Sequence, residues 1–201
     1  MLNYTTTENE IKRLNKLYSY NILDTHAEAV FDDLTKMVSS LINIPIVLIS
    51  LIDKERQWFK SKVGLNTSET PRELSFCQYA IMQDEIFEVE NALDDDRFNK
   101  NPLVTGNPNI VYYVGSPLTD NEGLNIGTLC AIDKSPRKLS DSDRGIIKTV
   151  SKTIIRLIEF RKKEEEKVIY HNYQNVTSTS YTKRFTKTSY PKNLFMANPM
   201  M

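Results

Sequence analysis

The chain of 201 residues has few of the residue types from which several classes of site are built. It contains two cysteines, two histidines, one tryptophan and six glycines. Two cysteines without paired spacing argue against a disulfide framework, and with so few histidines they also argue against a zinc site. The sequence shows no Ser/His/Asp or Cys/His spacing, no P-loop and no metal-binding motif. It therefore predicts no catalytic residue and no metal ligand, and it leaves any cofactor unidentified.

Long apolar runs and a net charge are also missing. The longest apolar run, residues 44–52, is the length of a strand, whereas a membrane-spanning helix needs about 20 apolar residues. The N-terminus lacks the basic and apolar regions of a secretory signal. A formal net charge of zero gives no bulk attraction to nucleic acid or to an anionic membrane. We therefore expect a cytoplasmic protein without a membrane or nucleic-acid partner.

Helical periodicity marks three long segments of the chain. Capping residues begin each of them: Thr7 with Glu10, Thr25 with Glu28, and Ser140 with Asp143. The predicted helices run over 7–20, over 25–41 and from residue 140 onward. The second helix is predicted to bury Ala29, Val30, Leu34, Met37, Val38 and Leu41.

Five strand-like runs lie between these helices. They cover 45–52, 57–63, 86–90, 111–118 and 126–132, with a short helix predicted over 74–82 and loops over 64–72 and 91–110. The polar stretch 120–123 favours a turn between antiparallel strands. Helices that cover one or both faces of an antiparallel sheet are the economical packing for this order, so we predict an α+β fold with α/β/α layers.

The sequence resembles a GAF domain, the small-molecule-sensing module of bacterial signalling proteins, over roughly residues 11–160. The segments that carry the resemblance are Asn21–Thr25, Phe31–Leu34, Ser75–Ile81, Asp96–Phe98, Asn101–Val104, Val111–Leu118 and Ile126–Arg137. It implies a central antiparallel sheet of five to six strands, with the terminal helices on one face and a ligand pocket on the other. In such proteins the domain is commonly fused to a histidine kinase or a diguanylate cyclase.

The resemblance also divides the chain. We expect an N-terminal helix in 1–24, a GAF domain in 25–160 and a helical extension in 161–168. Residues 169–201 hold four basic residues and no acidic one, and they lack an apolar period, which is typical of a flexible basic tail.

The expected pocket residues come from segments that surround one cavity in GAF domains. They are Trp58, Phe76, Cys77, Asp96, Arg97, Phe98, Tyr112, Tyr113 and Cys130. Both cysteines have apolar neighbours, which favours buried structural thiols that are slow to label. The acidic run 94–96 is interpreted as the capped start of a helix in preference to a metal cluster.

The leading functional hypothesis is a non-enzymatic sensor that binds an unidentified small molecule and acts on a downstream signalling protein. A homodimer through the terminal helices is expected, with the stripe Ile147, Val150, Ile154 and Leu157 either as its seam or docked on its own sheet. Two alternatives stay open. One is a thiol-based redox enzyme or switch that uses Cys77 and Cys130, and the other is a protein-interaction module without a ligand.

Overall fold

The computed structural model describes residues 8–185, with side chains as far as residue 171. The chain divides after Lys162 into two units, of which the first holds the sheet. The helices are α1 Glu8–Ser19, α2 Ala29–Ile42, the short α3 Cys77–Ala80 and α4 Pro102–Thr105, and α5 Asp141–Phe185. A single 3-10 turn, Arg72–Leu74, precedes α3.

Six antiparallel strands form one sheet. They are β1 Ile46–Ile52, β2 Arg56–Val63, β3 Glu69–Pro71, β4 Phe87–Val89, β5 Tyr112–Thr119 and β6 Asn125–Asp133. Their order across the sheet is β3-β2-β1-β6-β5-β4, so β1 and β6 lie at the centre. All seven residues of β1 are buried, as its continuous apolar run predicts. The five predicted strands are confirmed, whereas β3 falls in a stretch predicted as loop.

Alternate residues of the strands feed two separate cores, one on each face of the sheet. The first core contains α1, α2 and the start of α5, with Leu17, Phe31 and Ile154 packed against Val47 and Leu129. The second core contains α3 and the 91–110 segment. The predicted α+β architecture, with terminal helices on one face, is confirmed.

The start of α2 differs from the prediction. The helix begins after Glu28, which makes no side-chain cap. Thr25 instead donates to the Ile22 carbonyl at 2.7 Å and accepts from the ammonium of Lys60 at 2.8 Å. That ammonium also pairs with Glu28 at 2.6 Å. The predicted capping pair therefore holds a buried lysine of β2 and does not begin the helix. The other predicted cap, Thr7, lies outside the described residues.

The buried face of α2 was predicted correctly at Val38 and in part at Leu34, which is half-buried, but not at the other positions. The helix buries Phe31, Thr35, Val38 and Ile42, and it exposes Val30, Met37 and Leu41. The two stripes have the same helical spacing and differ by one residue. The stripe that is buried contains the polar residue Thr35 and was therefore not predicted to face the core. The Thr35 hydroxyl lies 2.8 Å from the Ser61 hydroxyl inside the protein, so it can be buried there.

The last helix begins as predicted and continues further. The Ser140 hydroxyl accepts from the amide of Asp143 at 3.1 Å and donates to its carboxylate at 2.7 Å. Ile147, Val150 and Ile154 are buried in the core of their own chain, so of the two predicted roles the structure shows docking on their own sheet and not a dimer seam. The helix α5 continues to Phe185, into the segment predicted as a flexible tail from residue 169, and residues 186–201 of that segment lie outside the described part of the chain.

Candidate functional site

The second face of the sheet holds a cavity of about 400 Å³. Its floor is formed by β1, β2, β5 and β6, and its walls by the turn into α3, the 64–67 loop and the 103–110 segment. A cavity of this volume is within the range of small-molecule sites. The cavity lies on the face of the sheet opposite the terminal helices, where the pocket was predicted.

Apolar side chains form most of the cavity wall, with polar groups at a few points. Leu48, Phe59, Phe76, Ile110 and Ile132 are among the apolar ones. Of the described residues that line the cavity, Lys134 is the only charged one, and it is exposed. The cavity therefore favours a largely apolar molecule, and its charge disfavours a cation.

A closed circuit of buried polar groups lies in one wall. The Cys77 amide donates to Ser75 Oγ at 3.0 Å, and Ser75 donates to the carbonyl of Gln57. The Gln57 amide donates to Ser50 Oγ at 2.9 Å, which lies 3.7 Å from Cys130 Sγ. Cys77 Sγ completes the circuit at 3.6 Å from Cys130 Sγ. Because buried polar groups are costly without partners, this circuit fixes α3 against three strands.

Tyr113 approaches the same thiol from β5. Its hydroxyl donates to Cys77 Sγ at 3.2 Å, and its ring lies 5.1 Å from that of Phe76. The hydroxyl lies over Gly115, where a β-carbon would overlap it. Burial, together with the neighbouring thiols, raises the pKa of Tyr113 well above its usual value, so the phenol stays protonated and remains a donor.

The two thiols differ in acidity because their surroundings differ. Burial raises the pKa of Cys77, but the polar groups around its sulfur, from Cys130, Thr128, Tyr113 and Ser50, outweigh burial and lower the pKa to about 7. The pKa of Cys130 is raised by the hydrogen bond between Cys130 and Cys77 and also by burial. Cys77 is therefore the thiol that ionises first.

The aromatic residues expected at the pocket divide between the two faces. Phe76 and Tyr113 line the cavity, and Phe98 stacks behind Phe76 with ring centroids 4.0 Å apart. Trp58 and Tyr112 belong to the core on the helical face, so their assignment to the pocket is corrected. Period-two alternation places adjacent strand residues such as Tyr112 and Tyr113 on opposite faces.

The two charged residues expected at the pocket lie elsewhere. Asp96 and Arg97 are exposed and do not line the cavity. Arg97 donates to the Asp95 carboxylate at 2.6 Å, and its guanidinium lies over the rings of Phe87 and Phe98. This hydrogen bond lowers the pKa of Asp95. The acidic run leads into a turn, in which the Asp95 carboxylate accepts from the backbone amide of Arg97 at 3.0 Å. The predicted capping by an Asp is therefore found, but no helix follows it. Within the described part of the chain, no group of three His, Cys, Asp or Glu side chains is placed to hold a metal ion.

Three buried polar residues in the cavity wall or directly behind it were not predicted. Ser50 is fully buried. The one indication of its role in the sequence is that it interrupts the apolar run of β1. Nothing in the sequence around Gln57 or Ser75 indicates a place in the wall, because their hydrogen-bond partners come from other segments of the chain. Cys130, which was predicted, touches Cys77 from behind but does not line the cavity.

Comparison with known proteins identifies similar chains. The family model described as "GAF domain" matches residues 26–157. A cyclic di-GMP phosphodiesterase of Pseudomonas aeruginosa is 40% identical over 152 residues, which are 75% of this chain and 26% of that protein. The chain thus spans about a quarter of the length of this curated relative.

Solved structures share the fold at low sequence identity. The GAF domain of an Acinetobacter phosphoenolpyruvate-protein phosphotransferase is 18% identical, with a TM-score of 0.57 over 77% of this chain and 95% of that one. The blue-light absorbing form of the Thermosynechococcus elongatus PixJ GAF domain is 12% identical, with a TM-score of 0.58 over 84% of this chain and 98% of that one. Among the described residues, no helix is both long and apolar enough to span a membrane.

Proposed function

The chain belongs to the GAF domain family, and on that premise we propose that it is a non-enzymatic, cytoplasmic sensor whose cavity binds a small molecule. The family supports a regulatory role in bacterial signalling. The observation that carries the finer proposal is the cavity of about 400 Å³, walled by apolar side chains and a few buried polar groups.

The lining favours one chemical class of ligand. Its apolar floor suits a ring or branched carbon skeleton, while Gln57 and Ser75 offer hydrogen-bonding groups inside. Lys134 supplies a positive charge at the exposed part of the wall. We therefore propose a small, largely apolar molecule with an anionic group directed toward Lys134.

The output of the domain is proposed to pass to another signalling protein. The similarity to the cyclic di-GMP phosphodiesterase supports a role in controlling cyclic di-GMP turnover. Because the match covers only a quarter of that protein, it does not assign the phosphodiesterase reaction to this domain. A homodimer remains part of the proposal, through exposed residues of the terminal helices such as Ile11 and Tyr18 in α1 and Phe160 in α5.

Native mass spectrometry of the protein purified from its own cells tests ligand binding. We expect a fixed mass increment in the wild type. Thr67→Trp should abolish it by filling the cavity mouth, because Thr67 is exposed and lines the cavity. Ser68→Trp is the matched control, since Ser68 is the exposed neighbour outside the lining. An increment that Thr67→Trp leaves unchanged would place the ligand elsewhere and overturn the assignment.

A further inference from the structure

Two buried thiols lie at the cavity wall and directly behind it. The proposed binding of a ligand does not use the reactivity of either thiol. Cys77 lines the cavity, and Cys130 lies behind it on the central strand β6. Their sulfur atoms are 3.6 Å apart, and each residue is 1% exposed. A reactant in the cavity therefore meets Cys77 first and reaches Cys130 only through it.

Hydroxyl groups surround this pair. Tyr113 donates to Cys77 Sγ, and Ser50 lies within hydrogen-bonding reach of Cys130 Sγ. Among the described residues, the fully buried Thr128 hydroxyl has no hydrogen bond of regular geometry. It nevertheless lies close enough to both sulfurs to lower the pKa of each. Such donors stabilise a thiolate, which is the reactive form of cysteine.

We propose that Cys77 and Cys130 form a redox-active dithiol, which a small hydroperoxide that enters the cavity oxidises to a disulfide. The proposal goes beyond ligand sensing, because it needs the cavity and the two thiols but no bound ligand. The order of reaction follows from position: Cys77 faces the cavity and attacks first, while Cys130 resolves the product.

The reaction balances in two steps. The Cys77 thiolate attacks the terminal peroxide oxygen, so that an S–O bond forms, the O–O bond breaks and the alkoxide leaves as alcohol with the proton that Cys77 released. Cys77 is then a sulfenic acid. Cys130 attacks its sulfur, the S–S bond forms and hydroxide leaves as water with the Cys130 proton. The two thiols have given two electrons to the peroxide.

Closing the disulfide requires a local movement. A disulfide has an S–S distance of about 2.05 Å, so the sulfurs must approach by about 1.5 Å from their present separation of 3.6 Å. Cys130 is held in a strand between two neighbours, whereas Cys77 begins a helix of four residues. We therefore expect Cys77 to move, together with Phe76 beside it in the cavity wall.

Hydrogen peroxide and intact-mass measurement on the reduced full chain test this chemistry. The wild type should lose the mass of two hydrogen atoms and regain it with a thiol reductant. Cys130→Ser should stop at the sulfenic acid, which adds one oxygen atom and is trapped by dimedone. Cys77→Ser should oxidise at least about tenfold more slowly, because Cys130 does not line the cavity. Equal oxidation rates in Cys77→Ser and the wild type, or disulfides formed only between chains, would overturn the proposal.

A second pair of variants tests it without removing a sulfur. Tyr113→Phe keeps the ring but removes the hydroxyl that donates to Cys77, so the pH profile of oxidation should move to higher pH. Tyr112→Phe is the control, since its hydroxyl bonds Glu88 and its ring packs on the helical face. Identical profiles for the two variants would contradict the assigned role of Cys77. The mass increment of a retained ligand is a separate measurement, so the two proposals fail independently.

Discussion

Tyr113 occupies the space that a side chain on Gly115 would need. The two residues are neighbours on the cavity face of β5, and the phenol lies over the glycine to reach Cys77. Gly115 is therefore required by close approach and not by backbone conformation.

Gly115→Ala should destabilise the domain by about 1–3 kcal/mol, because the added methyl group overpacks the wall and displaces the phenol. Urea unfolding measures the change. Gly145→Ala is the control, because Gly145 lies in α5 with open space around it and should gain roughly 1 kcal/mol from helix propensity. Equal behaviour of the two variants would show that Tyr113 does not depend on Gly115.

Lys134→Gln should lower the occupancy of the retained ligand roughly threefold to tenfold, because it removes the charge that faces an anionic group. Native mass spectrometry at constant protein concentration measures occupancy. Lys138→Gln is matched in charge but lies outside the cavity lining, where its ammonium pairs with Glu90 at 3.0 Å. If both variants retain as much ligand as the wild type, the ligand has no anionic group near Lys134.

Glu10 should make the domain sensitive to acid. Burial raises its pKa, but hydrogen bonds from Arg13 and Arg72 outweigh burial and hold the pKa below its usual value of 4.5. A lowered carboxyl pKa gives stability that is present above the unfolded-state value and is lost as the pH falls through the folded-state value. The stability due to Glu10 should therefore decrease as the pH falls below the usual carboxyl value of 4.5.

Glu10→Gln should cost about 1–3 kcal/mol at neutral pH and much less at pH about 3, as measured by urea unfolding at both values. Glu8→Gln provides the comparison, because Glu8 is exposed on the same helix and pairs only with Lys12 among the ion pairs described for it. Its effect should stay within about 0.5 kcal/mol. A constant cost of Glu10→Gln across this pH range would rule out the linkage.

Phe160→Glu should convert a dimer to a folded monomer, since Phe160 is 60% exposed on α5 and a carboxylate would be buried in the interface. Light scattering over a concentration series measures the change. Thr153→Glu places the same charge at an exposed position of α5. A wild type that is monomeric at high concentration removes the dimer from the proposal.

Local sequence pattern was sufficient to predict five of the six strands, but not β3 or the buried face of α2. The apolar run of β1 and the polar turn before β6 each specify structure through neighbours in sequence. In α2 two stripes of equal spacing compete, and the buried pairing of Thr35 with Ser61 decides between them. That contact joins residues far apart in the chain, so periodicity alone could not reveal it.

The cavity shows the same limit. Phe76, Cys77 and Tyr113 were predicted from resemblance, and the structure places all three in the wall. Ser50, Gln57 and Ser75 escaped prediction because each becomes significant only through a hydrogen bond across the sheet. Trp58 and Tyr112 were misassigned because an aromatic residue on a strand suits either face equally.

Cys130 is flanked in β6 by Leu129 and Ala131, which face the core shared with α1, α2 and α5. Along this strand, Cys130, which touches the cavity-lining Cys77, is therefore one peptide bond away from residues that face the helices. A disulfide between Cys77 and Cys130 would tie the moving cavity wall to β6, the strand that carries Leu129 and Ala131 on its helical side. The backbone of β6 would thereby link the redox state of the thiols on one face of the sheet to the packing of the helices on the other.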